Sequence, residues 1–348
     1  MIENKPRVLL GMSGGVDSSV SAIMLKNMGY EVIGATMKLC ANNENIVKDA
    51  KDICNNLKIE HIVIDCTKQF EKYVIDDFIN CYNNCQTPNP CIECNKYLKF
   101  GAFYKKAIEL KCDYISTGHY AKIEYSEEYK QYVMKKSKAD KKDQTYFLYS
   151  IPKEVLSKMI LPLENFTDKS DIRQIAKENN LNVATKKDSQ EICFIENNDY
   201  VSFIQKNKKE KIKKGNIVLK NGTILGKHNG LIHYTIGQRK GLRISYKNPL
   251  YVIALDKEKN EVIVGEEKEL YKKELQAKDC NFLLDIDLSK KIEIMAKVRY
   301  RAKESKAILT FKEGIAHVTF EEDQRAITPG QSVVFYIGDV LLGGGKII

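Results

Sequence analysis

The residues with the clearest chemical potential form a glycine- and serine-rich segment near the N-terminus, residues 11–19 (GMSGGVDSS). An apolar run precedes this segment and an apolar-rich stretch follows it, a pattern typical of a buried strand, a tight turn and a helix. Adjacent glycines let the backbone approach a phosphate, and the N–H groups and serine hydroxyls of a first helical turn can donate to its oxygens. The segment therefore predicts a nucleotide-phosphate site built by Gly11, Met12, Ser13, Gly14, Gly15, Val16, Asp17 and Ser18.

This segment departs from the two commonest phosphate-binding loops. It has neither a lysine nor a Gly-Lys-Ser/Thr ending, which excludes the usual ATPase loop. It also lacks a third glycine at the spacing of the dinucleotide fingerprint. It resembles instead the pyrophosphatase loop of enzymes that split ATP into AMP and pyrophosphate. That resemblance implies ATP and Mg²⁺ as cofactors, with Asp17 helping to place the magnesium ion.

Two cysteines are candidate nucleophiles. Cys94 lies in residues 86–96 (QTPNPCIECNK), where two prolines predict an extended segment that ends at a helix. The N-terminus of that helix and the neighbouring Lys96 would favour the thiolate form of Cys94. Cys193 lies among polar and charged residues in residues 187–195 (KDSQEICFI), whereas a structural cysteine usually has apolar neighbours.

Composition limits the class of protein. The chain has 348 residues, 56 Lys and Arg against 46 Asp and Glu, and 10 cysteines. The length predicts two or three domains, and the net charge of +10 suits a polyanionic partner. Because neither a signal pattern nor an apolar run of membrane-spanning length is found, we expect a cytoplasmic protein that does not bind membranes. Its cysteines are then expected to be reduced thiols, metal ligands or reactive groups rather than a disulfide framework.

The first 120 residues alternate strand and helix patterns. Strands are predicted at residues 6–12, 31–37, 60–65 and 114–117, and helices at residues 18–27, 44–57, 68–80 and 95–110. Such alternation predicts an α/β fold, with a parallel sheet and flanking helices. Ligands of these sheets bind at the carboxyl ends of the strands. Met37, which ends one predicted strand, and Gly118, which follows another, are therefore expected to contact the nucleotide.

The rest of the chain is predicted to be rich in β-structure. A basic run at residues 205–214 is either a solvated linker or a contact to a nucleic-acid backbone. Asn221 and Gly222 predict a tight hairpin, and a small β-rich module follows to about residue 270. Alternation from Ile292 to Tyr300 and beyond then predicts a C-terminal antiparallel β-barrel. The predicted domains are 1–205, 206–272 and 273–348.

Six motifs occur in the order found in one enzyme family, and together they cover essentially the whole chain. They are SGGVDS (13–18), TPNPxxxCN (87–95), TGHYA (117–121), KDQTYFL (142–148), DSQEICF (188–194) and GQRKGL (237–242). In these motifs the chain resembles the bacterial tRNA-specific 2-thiouridylases, the MnmA family. The resemblance implies an adenine-nucleotide alpha hydrolase-like first domain, a central tRNA-binding module and the barrel.

The activity implied by this resemblance is ATP-dependent 2-thiolation of the wobble uridine, U34, in tRNAs for Lys, Glu and Gln. ATP adenylates the uracil C2 oxygen with release of pyrophosphate, and sulfur then replaces the activated oxygen. Cys193 would carry a persulfide received from a sulfur-relay donor protein or a cysteine desulfurase. Cys94 would attack the linking sulfur, which leaves thiouridine on the tRNA and a Cys94–Cys193 disulfide.

The resemblance also implies contacts to the tRNA around the anticodon. His119 follows Gly118 and could touch either the nucleotide or the target base. The residues that the resemblance assigns to contacts with the target base and the tRNA are Asn89, Pro90, Cys91, His119, Lys142, Asp143, Gln144, Tyr300, Arg301 and Gln331.

Cys91 leaves a second mechanism open. Many relatives have aspartate at this position, whereas here Cys91 and Cys94 form a Cys-x-x-Cys pair that Cys193 could join. Three thiolates can hold a 4Fe–4S cluster with one iron open for sulfide. A structural zinc bound by Cys81 and Cys85 is a further alternative. Cys40, Cys54, Cys66, Cys112 and Cys280 have no ligand spacing and are interpreted as core or surface thiols.

Two other functional classes were weighed. One is a pyrophosphatase-loop ligase that forms amides or transfers nitrogen, which would need no paired reactive cysteines. The other is a non-catalytic tRNA-binding module, in which the phosphate loop and the cysteines would have no role.

Overall fold

The computed structural model describes residues 5–40, 44–139, 142–185, 192–207 and 212–348. The polar half of the motif around Cys193, residues 187–191, lies outside the described residues. So does the middle of the basic run, residues 208–211.

The N-terminal part is a five-stranded parallel sheet, and this confirms the predicted fold class. Its strands are β1 (Arg7–Gly11), β2 (Glu31–Lys38), β3 (Glu60–Asp65), β4 (Tyr114–Ser116) and β7 (Met159–Ile160). Their order in the sheet is β3-β2-β1-β4-β7. Strands β2 and β3 are added on one side of β1, and β4 and β7 on the other. The strand order therefore reverses between β1 and β4, and folds of this kind bind ligands at such a point.

Helical segments surround this sheet. The α-helices are α1 (Val16–Asn27), α2 (Glu44–Leu57), α3 (Thr67–Phe70), α4 (Asp76–Asn83), α5 (Pro90–Glu93), α6 (Phe103–Glu109), α7 (Lys169–Glu178) and α8 (Tyr200–Asn207). Two π-helical segments, Glu71–Ile75 and Cys94–Ala102, connect α3 to α4 and α5 to α6. Shorter 3₁₀ turns are Thr145–Phe147, Lys153–Lys158, Asn182–Thr185, Glu196–Asn198, Leu231–His233 and Glu267–Leu270. In the described part of the chain, no helix has the length and apolar character needed to cross a membrane.

The central part is a four-stranded sheet of order β10-β11-β8-β9. Its strands are β8 (Gly215–Leu219), β9 (Ile224–His228), β10 (Tyr251–Asp256) and β11 (Glu261–Gly265). The predicted hairpin is confirmed, because β8 and β9 pair antiparallel around a turn in which Gly222 has a φ of 88°. That left-handed conformation is the one that glycine adopts without strain.

The C-terminal part is a closed antiparallel barrel, as predicted. Its strands are β12 (Tyr271–Phe282), β13 (Ile292–Lys297), β14 (Ser305–Lys312), β15 (Ile315–Arg325), β16 (Ser332–Ile337) and β17 (Val340–Ile347). Pairing between β12 and β17 closes the ring. A hairpin of the first domain, β5 (Lys122–Ser126) and β6 (Gln131–Lys135), extends this sheet through the pairing of Lys135 with Val340.

The barrel and the first domain share one hydrophobic core. Leu9 of β1 and Ile115 of β4 belong to the same buried cluster as Tyr336 of β16 and Leu341 of β17. The Tyr146 hydroxyl donates to the Ser332 carbonyl oxygen at 2.9 Å across this junction. The barrel is therefore fixed against the sheet that holds the phosphate loop.

Candidate active site

The phosphate loop follows β1, at the point where the strand order of the parallel sheet reverses. The Thr36 hydroxyl of the neighbouring β2 donates to the Met12 carbonyl oxygen at 3.0 Å, which fixes the start of the loop. Gly14 has a φ of 66°, a value that favours glycine. The Ser18 hydroxyl donates to the Gly15 carbonyl oxygen at 3.1 Å and accepts the Ser13 N–H at 3.3 Å. The loop is thus folded back onto the first turn of α1.

Gly118 brings the turn after β4 against this loop. A Cβ atom at Gly118 would lie 3.0 Å from the backbone nitrogen of Ser18 and 3.1 Å from the carbonyl carbon of Asp17. Only glycine fits this approach without displacing backbone. Met37, at the end of β2, is half-buried and packs against the cluster that contains Cys94. The predicted nucleotide residues are therefore neighbours of the cysteine-bearing segment.

The Asp17 carboxylate has two partners that the sequence did not indicate. It accepts a hydrogen bond from the Tyr120 hydroxyl at 2.8 Å and an ion pair from the Lys169 ammonium at 3.1 Å. Lys169 begins α7, which packs against α1. These contacts hold the carboxylate beside the phosphate loop.

The helix that carries the first cysteine begins earlier than predicted. The sequence predicts a helix from Asn95, but helical structure begins at Pro90 and continues without interruption to Glu109. Proline is tolerated at the first helical position because no intrahelical partner is needed for its missing N–H. Cys91 and Cys94 consequently lie on the same helix. Cys91 is exposed, whereas Cys94 is buried.

Burial changes the expected ionisation of Cys94. Burial raises the pKa of the Cys94 thiol, and the charge of Lys99 opposes this rise. The expectation that the helix start and Lys96 favour the thiolate is therefore wrong for the resting enzyme. The Lys96 ammonium lies over the Tyr97 ring, 5.0 Å from its centroid. Lys99, which the sequence reasoning missed, is the lysine whose charge acts on this thiol.

Cys193 is presented on a short turn. The Ile195 N–H donates to the Ile192 carbonyl oxygen at 3.0 Å, and Cys193 is exposed on that turn. The next residue, Phe194, packs edge-on against Phe70, with ring centroids 5.5 Å apart. Phe70 and Phe194 both pack in the cluster that buries Cys94. Phe194 therefore connects the two cysteine segments.

The thiols of the two segments act on each other electrostatically. Close surrounding protein raises the pKa of the Cys193 thiol to about 12 although solvent reaches it, and the Cys94 and Cys91 sulfurs raise it further. Lys99 opposes this rise, and Cys40 adds to it. The structure therefore brings Cys91, Cys94 and Cys193 into one site. It also places Cys40, interpreted from sequence as a bystander, within reach of Cys193.

Metal binding by these thiols was tested against their arrangement. Within the described ranges, no group of three His, Cys, Asp or Glu side chains is gathered so that it could hold a metal ion. As placed, Cys91, Cys94 and Cys193 do not fit a cluster, and Cys81 and Cys85 do not belong to a zinc set. Cys81 instead directs its thiol to the Asp77 carboxylate, with 3.7 Å between sulfur and oxygen.

His119 lies between the nucleotide turn and the cysteine helix. Its Nδ1 atom is 2.7 Å from the Thr117 hydroxyl oxygen, and its ring lies 5.9 Å from that of Phe100. Burial lowers the pKa of His119 well below its ordinary value, and Lys99 lowers it further. The imidazole is therefore neutral near pH 7 and serves as a hydrogen-bonding group rather than a cation.

The three residues of the predicted tRNA segment differ in their surroundings. Asp143 is buried and accepts hydrogen bonds from the Ser137 N–H at 3.1 Å and from the Thr145 hydroxyl. The Gln144 side-chain oxygen accepts the Tyr120 N–H at 3.1 Å. The Lys142 ammonium lies 5.7 Å from the centre of the Tyr120 ring. Asp143 and Gln144 therefore shape the segment, and Lys142 is the cation that it presents.

Barrel residues reach the loop in front of the cysteine helix. The Gln331 side-chain amide donates to the carbonyl oxygens of Thr87 at 3.0 Å and Pro88 at 3.2 Å. These positions precede Asn89 and Pro90, the predicted contacts to the target base. Gln331 thus fixes the loop that leads to Asn89 and Pro90 from the side of the barrel.

Two further barrel residues were predicted to contact tRNA. The Tyr300 ring packs on Phe147, with ring centroids 4.4 Å apart, whereas Arg301 is exposed. Arg301 is therefore the member of this pair that is free to meet a phosphate.

Replacing Phe194 with alanine tests the proposed anchor of Cys193. We expect the kcat of the reaction at Cys193 to fall about ten- to a hundredfold, because a displacement of about 1 Å at a reacting atom has an effect of this size. The KM for ATP should not change, since the phosphate loop is not altered. Phe311→Ala is the control, because it removes an equivalent edge-on ring pair within the barrel, with centroids 5.1 Å apart. Wild-type kcat in Phe194→Ala would refute the anchoring role.

Comparisons with known proteins identify the family of the chain. Three family models match in succession: a tRNA methyl transferase HUP domain at residues 6–197, a tRNA methyl transferase PRC-barrel domain at 201–266 and an aminomethyltransferase beta-barrel domain at 272–347. The chain is 47% identical to the tRNA-specific 2-thiouridylase MnmA of Acetivibrio thermocellus over 99% of both chains. It is also 47% identical to the protein of that name in Clostridioides difficile, over 100% of this chain and 99% of the relative.

A solved NMN synthetase from Francisella tularensis has a weaker likeness, with 18% identity and a TM-score of 0.34 over 52% of this chain and 66% of that chain. The curated relatives, by contrast, match over the full length. Together with the phosphate loop and the paired cysteine segments, they establish that the chain belongs to the tRNA-specific 2-thiouridylase family, MnmA.

Proposed function

We propose that this enzyme forms 2-thiouridine at the wobble position of tRNA, with ATP as the activating substrate. The observation that carries the proposal is the placement of Cys94 and Cys193 in one site beside the nucleotide crevice. An ATP-dependent amide ligase would have no use for this pair. The tRNAs for Lys, Glu and Gln are the substrates that we propose, and the cytoplasm is the proposed location.

Activation of the base is the proposed role of the phosphate loop. Residues 11–18, with Gly118 and Met37 at the adjoining strand ends, would bind ATP. The uracil C2 oxygen attacks the α-phosphate, and pyrophosphate leaves from the loop. Asp17, whose two carboxylate oxygens are held beside the loop by Tyr120 and Lys169, is the proposed carboxylate ligand of Mg²⁺, an ion that is usually bound by one or two carboxylates together with phosphate oxygens. When bound, the ion would neutralise phosphate charge.

Sulfur transfer is the proposed role of the two cysteines. A Cys193 persulfide anion attacks C2, the C2–O bond breaks, and AMP leaves with the electron pair. The Cys94 thiolate then attacks the Cys193 sulfur, the S–S bond breaks, and its electron pair stays on the sulfur bound to C2. The proton released by Cys94 neutralises the thiouracil. The two cysteines are oxidised to a disulfide, and the transferred sulfur is reduced.

The raised pKa of Cys193 supports a persulfide as the attacking species. A thiol with a pKa of about 12 is almost wholly protonated near pH 7 and is a poor nucleophile. A persulfide is more acidic than its parent thiol, so loading with sulfur would itself create the anion. The donor is proposed to be a persulfide-bearing relay protein or a cysteine desulfurase.

Substrate binding is proposed to use residues of the first domain together with residues of the barrel. Lys142 and Arg301 would contact tRNA phosphates, and the loop at Asn89 and Pro90, with His119, would receive the flipped uridine. Gln331 would keep that loop in place through its hydrogen bonds to Thr87 and Pro88. Tyr300, Asp143 and Gln144 support these surfaces.

The test is a thiolation assay on protein purified without oxygen, divided into iron-free and untreated samples. Each sample receives unmodified tRNA for lysine, ATP, Mg²⁺ and a small-molecule persulfide donor. We expect one pyrophosphate per 2-thiouridine from the iron-free sample and none with a tRNA whose wobble base is cytidine. Activity confined to protein that holds iron and acid-labile sulfide would replace the persulfide step with the cluster alternative. Absence of 2-thiouridine from both samples would refute the function.

A further inference from the structure

Lys99 is a half-buried lysine to which neither the motifs nor the proposed reaction assigns a role. It lies on the π-helical segment Cys94–Ala102, five residues after Cys94. In an α-helix of 3.6 residues per turn, side chains five apart point about 140° away from each other. In a π-helix, residues five apart are joined by the backbone hydrogen bond and lie on one side. The Phe103 N–H donates to the Leu98 carbonyl oxygen in this manner.

The widened turn therefore turns Lys99 toward the Cys94 side of the helix. Its charge acts on the Cys91, Cys94 and Cys193 thiols and on His119. Among the described residues, the other titratable groups that act on these sulfurs are the thiols of Cys40 and Cys66. Within the described part of the chain, the Lys99 ammonium has neither an ion pair nor a hydrogen bond. Lys99 is therefore a half-buried cation that faces several thiols and, among the residues that the structure describes, has no carboxylate partner, an arrangement suited to an anion that forms on sulfur.

We propose that Lys99 supplies the positive charge that stabilises anionic sulfur, first on the Cys193 persulfide and then on Cys94, during sulfur transfer. This inference rests on the proposed function for its reaction steps. In the first step the negative charge moves from the persulfide to AMP, and in the second it moves from the Cys94 thiolate to the sulfur bound to C2. A fixed cation beside both sulfurs favours each attacking anion in a crevice where neighbouring thiols disfavour it. Lys99 is thus a positioning charge for both nucleophiles.

The test measures how much of the Cys193 thiol is in the thiolate form, in the absence of ATP and tRNA. Iodoacetamide labelling of Cys193 in iron-free protein is followed by mass spectrometry between pH 7 and pH 10. The wild-type rate should rise across this whole range, because the pKa of Cys193 is about 12 and the thiolate fraction is still increasing. In Lys99→Met we expect the rate at each pH to fall about threefold to tenfold, as loss of a nearby cation raises a thiol pKa. Lys99→Arg, which retains the charge, should stay within about twofold of wild type.

Lys96→Met is the matched control. Lys96 lies on the same π-helical segment and is also half-buried, but its ammonium lies over the Tyr97 ring. This variant should label at the wild-type rate. In the thiolation assay, Lys99→Met should have a lower kcat and a pH optimum moved upward, with an unchanged KM for ATP. Unchanged labelling in Lys99→Met, or equal loss in Lys96→Met, would overturn the inference.

Two results would distinguish a role of Lys99 at sulfur from a role at the nucleotide and from a failure of the proposed function. A raised KM for ATP with unchanged labelling would make Lys99 a nucleotide contact and refute its role at sulfur. Slower labelling of Lys99→Met in a protein whose wild type forms no 2-thiouridine would refute the proposed function while the charge effect stands. If Lys99→Met does not fold, comparison of Lys99→Gln with Lys99→Arg decides the same question.

Discussion

Cys193→Ser is expected to abolish thiolation, with a loss of at least about a thousandfold. A serine hydroxyl cannot carry a persulfide, so no sulfur reaches the activated base. Adenylation should persist, because the phosphate loop and Gly118 are unchanged. The measurement is 2-thiouridine in the tRNA together with pyrophosphate release, and the expected result is loss of the first with retention of the second.

Cys94→Ser should fail at a later step. The outer sulfur of the Cys193 persulfide would still attack C2, but the S–S bond would not be opened by the second cysteine. We expect a covalent link between Cys193 and the tRNA that a small-molecule thiol releases as thiouridine. Cys112→Ser is the control, because its half-buried thiol is not among those that act on Cys193. Persistent thiolation in Cys193→Ser would remove Cys193 from the mechanism.

Gly118→Ala should cost about a hundredfold in kcat/KM for ATP, the size of effect expected when reacting groups are misplaced by about 1 Å. The new Cβ would meet the backbone of Ser18 at 3.0 Å and of Asp17 at 3.1 Å. Because these atoms belong to the first turn of α1, no flexible side chain can move aside. The loop must separate from the turn after β4, and this opens the nucleotide crevice. Steady-state kinetics with varied ATP measures the loss.

Gly29→Ala is the control for backbone effects at this glycine. Gly29 lies just beyond the other end of α1, has a φ of 91°, and a Cβ there meets nothing within 4 Å. This variant should lose about 1 kcal/mol of stability through strain but retain wild-type kcat/KM. tRNA binding should be unchanged in both variants. An unchanged kcat/KM in Gly118→Ala would refute the close approach of the two turns.

The parts of the site that could be predicted from sequence depend on local chemistry. The phosphate loop is encoded by glycines and serines within nine consecutive positions, and its backbone requirements can be read residue by residue. Strand periodicity likewise predicts both the parallel sheet and the barrel. Cys94 and Cys193 were predicted from their local sequence, Cys94 because two prolines place it at a helix start and Cys193 because its neighbours are polar and charged.

Other parts depend on contacts between distant segments. Closeness along the chain led to Lys96 as the lysine that acts on Cys94, because the π-helical widening that turns Lys99 toward the sulfur leaves no pattern in the sequence. The thiol pKa of Cys94 was misjudged for a similar reason. Its burial comes from Phe70 and Phe194, which lie far away along the chain. Phe194 itself could have been noticed as an aromatic residue directly after a reactive cysteine.

The pairing of Lys135 with Val340 has a consequence for how the chain matures. On the ribosome, the first domain emerges long before the last strand exists. Until β17 is made, the edge of the β5–β6 hairpin and the apolar face around Tyr146 have no covering partner. The nascent first domain therefore cannot complete its own core. The phosphate loop can form early, but the loop that Gln331 holds at Thr87 and Pro88 reaches its final arrangement only after the barrel has been synthesised.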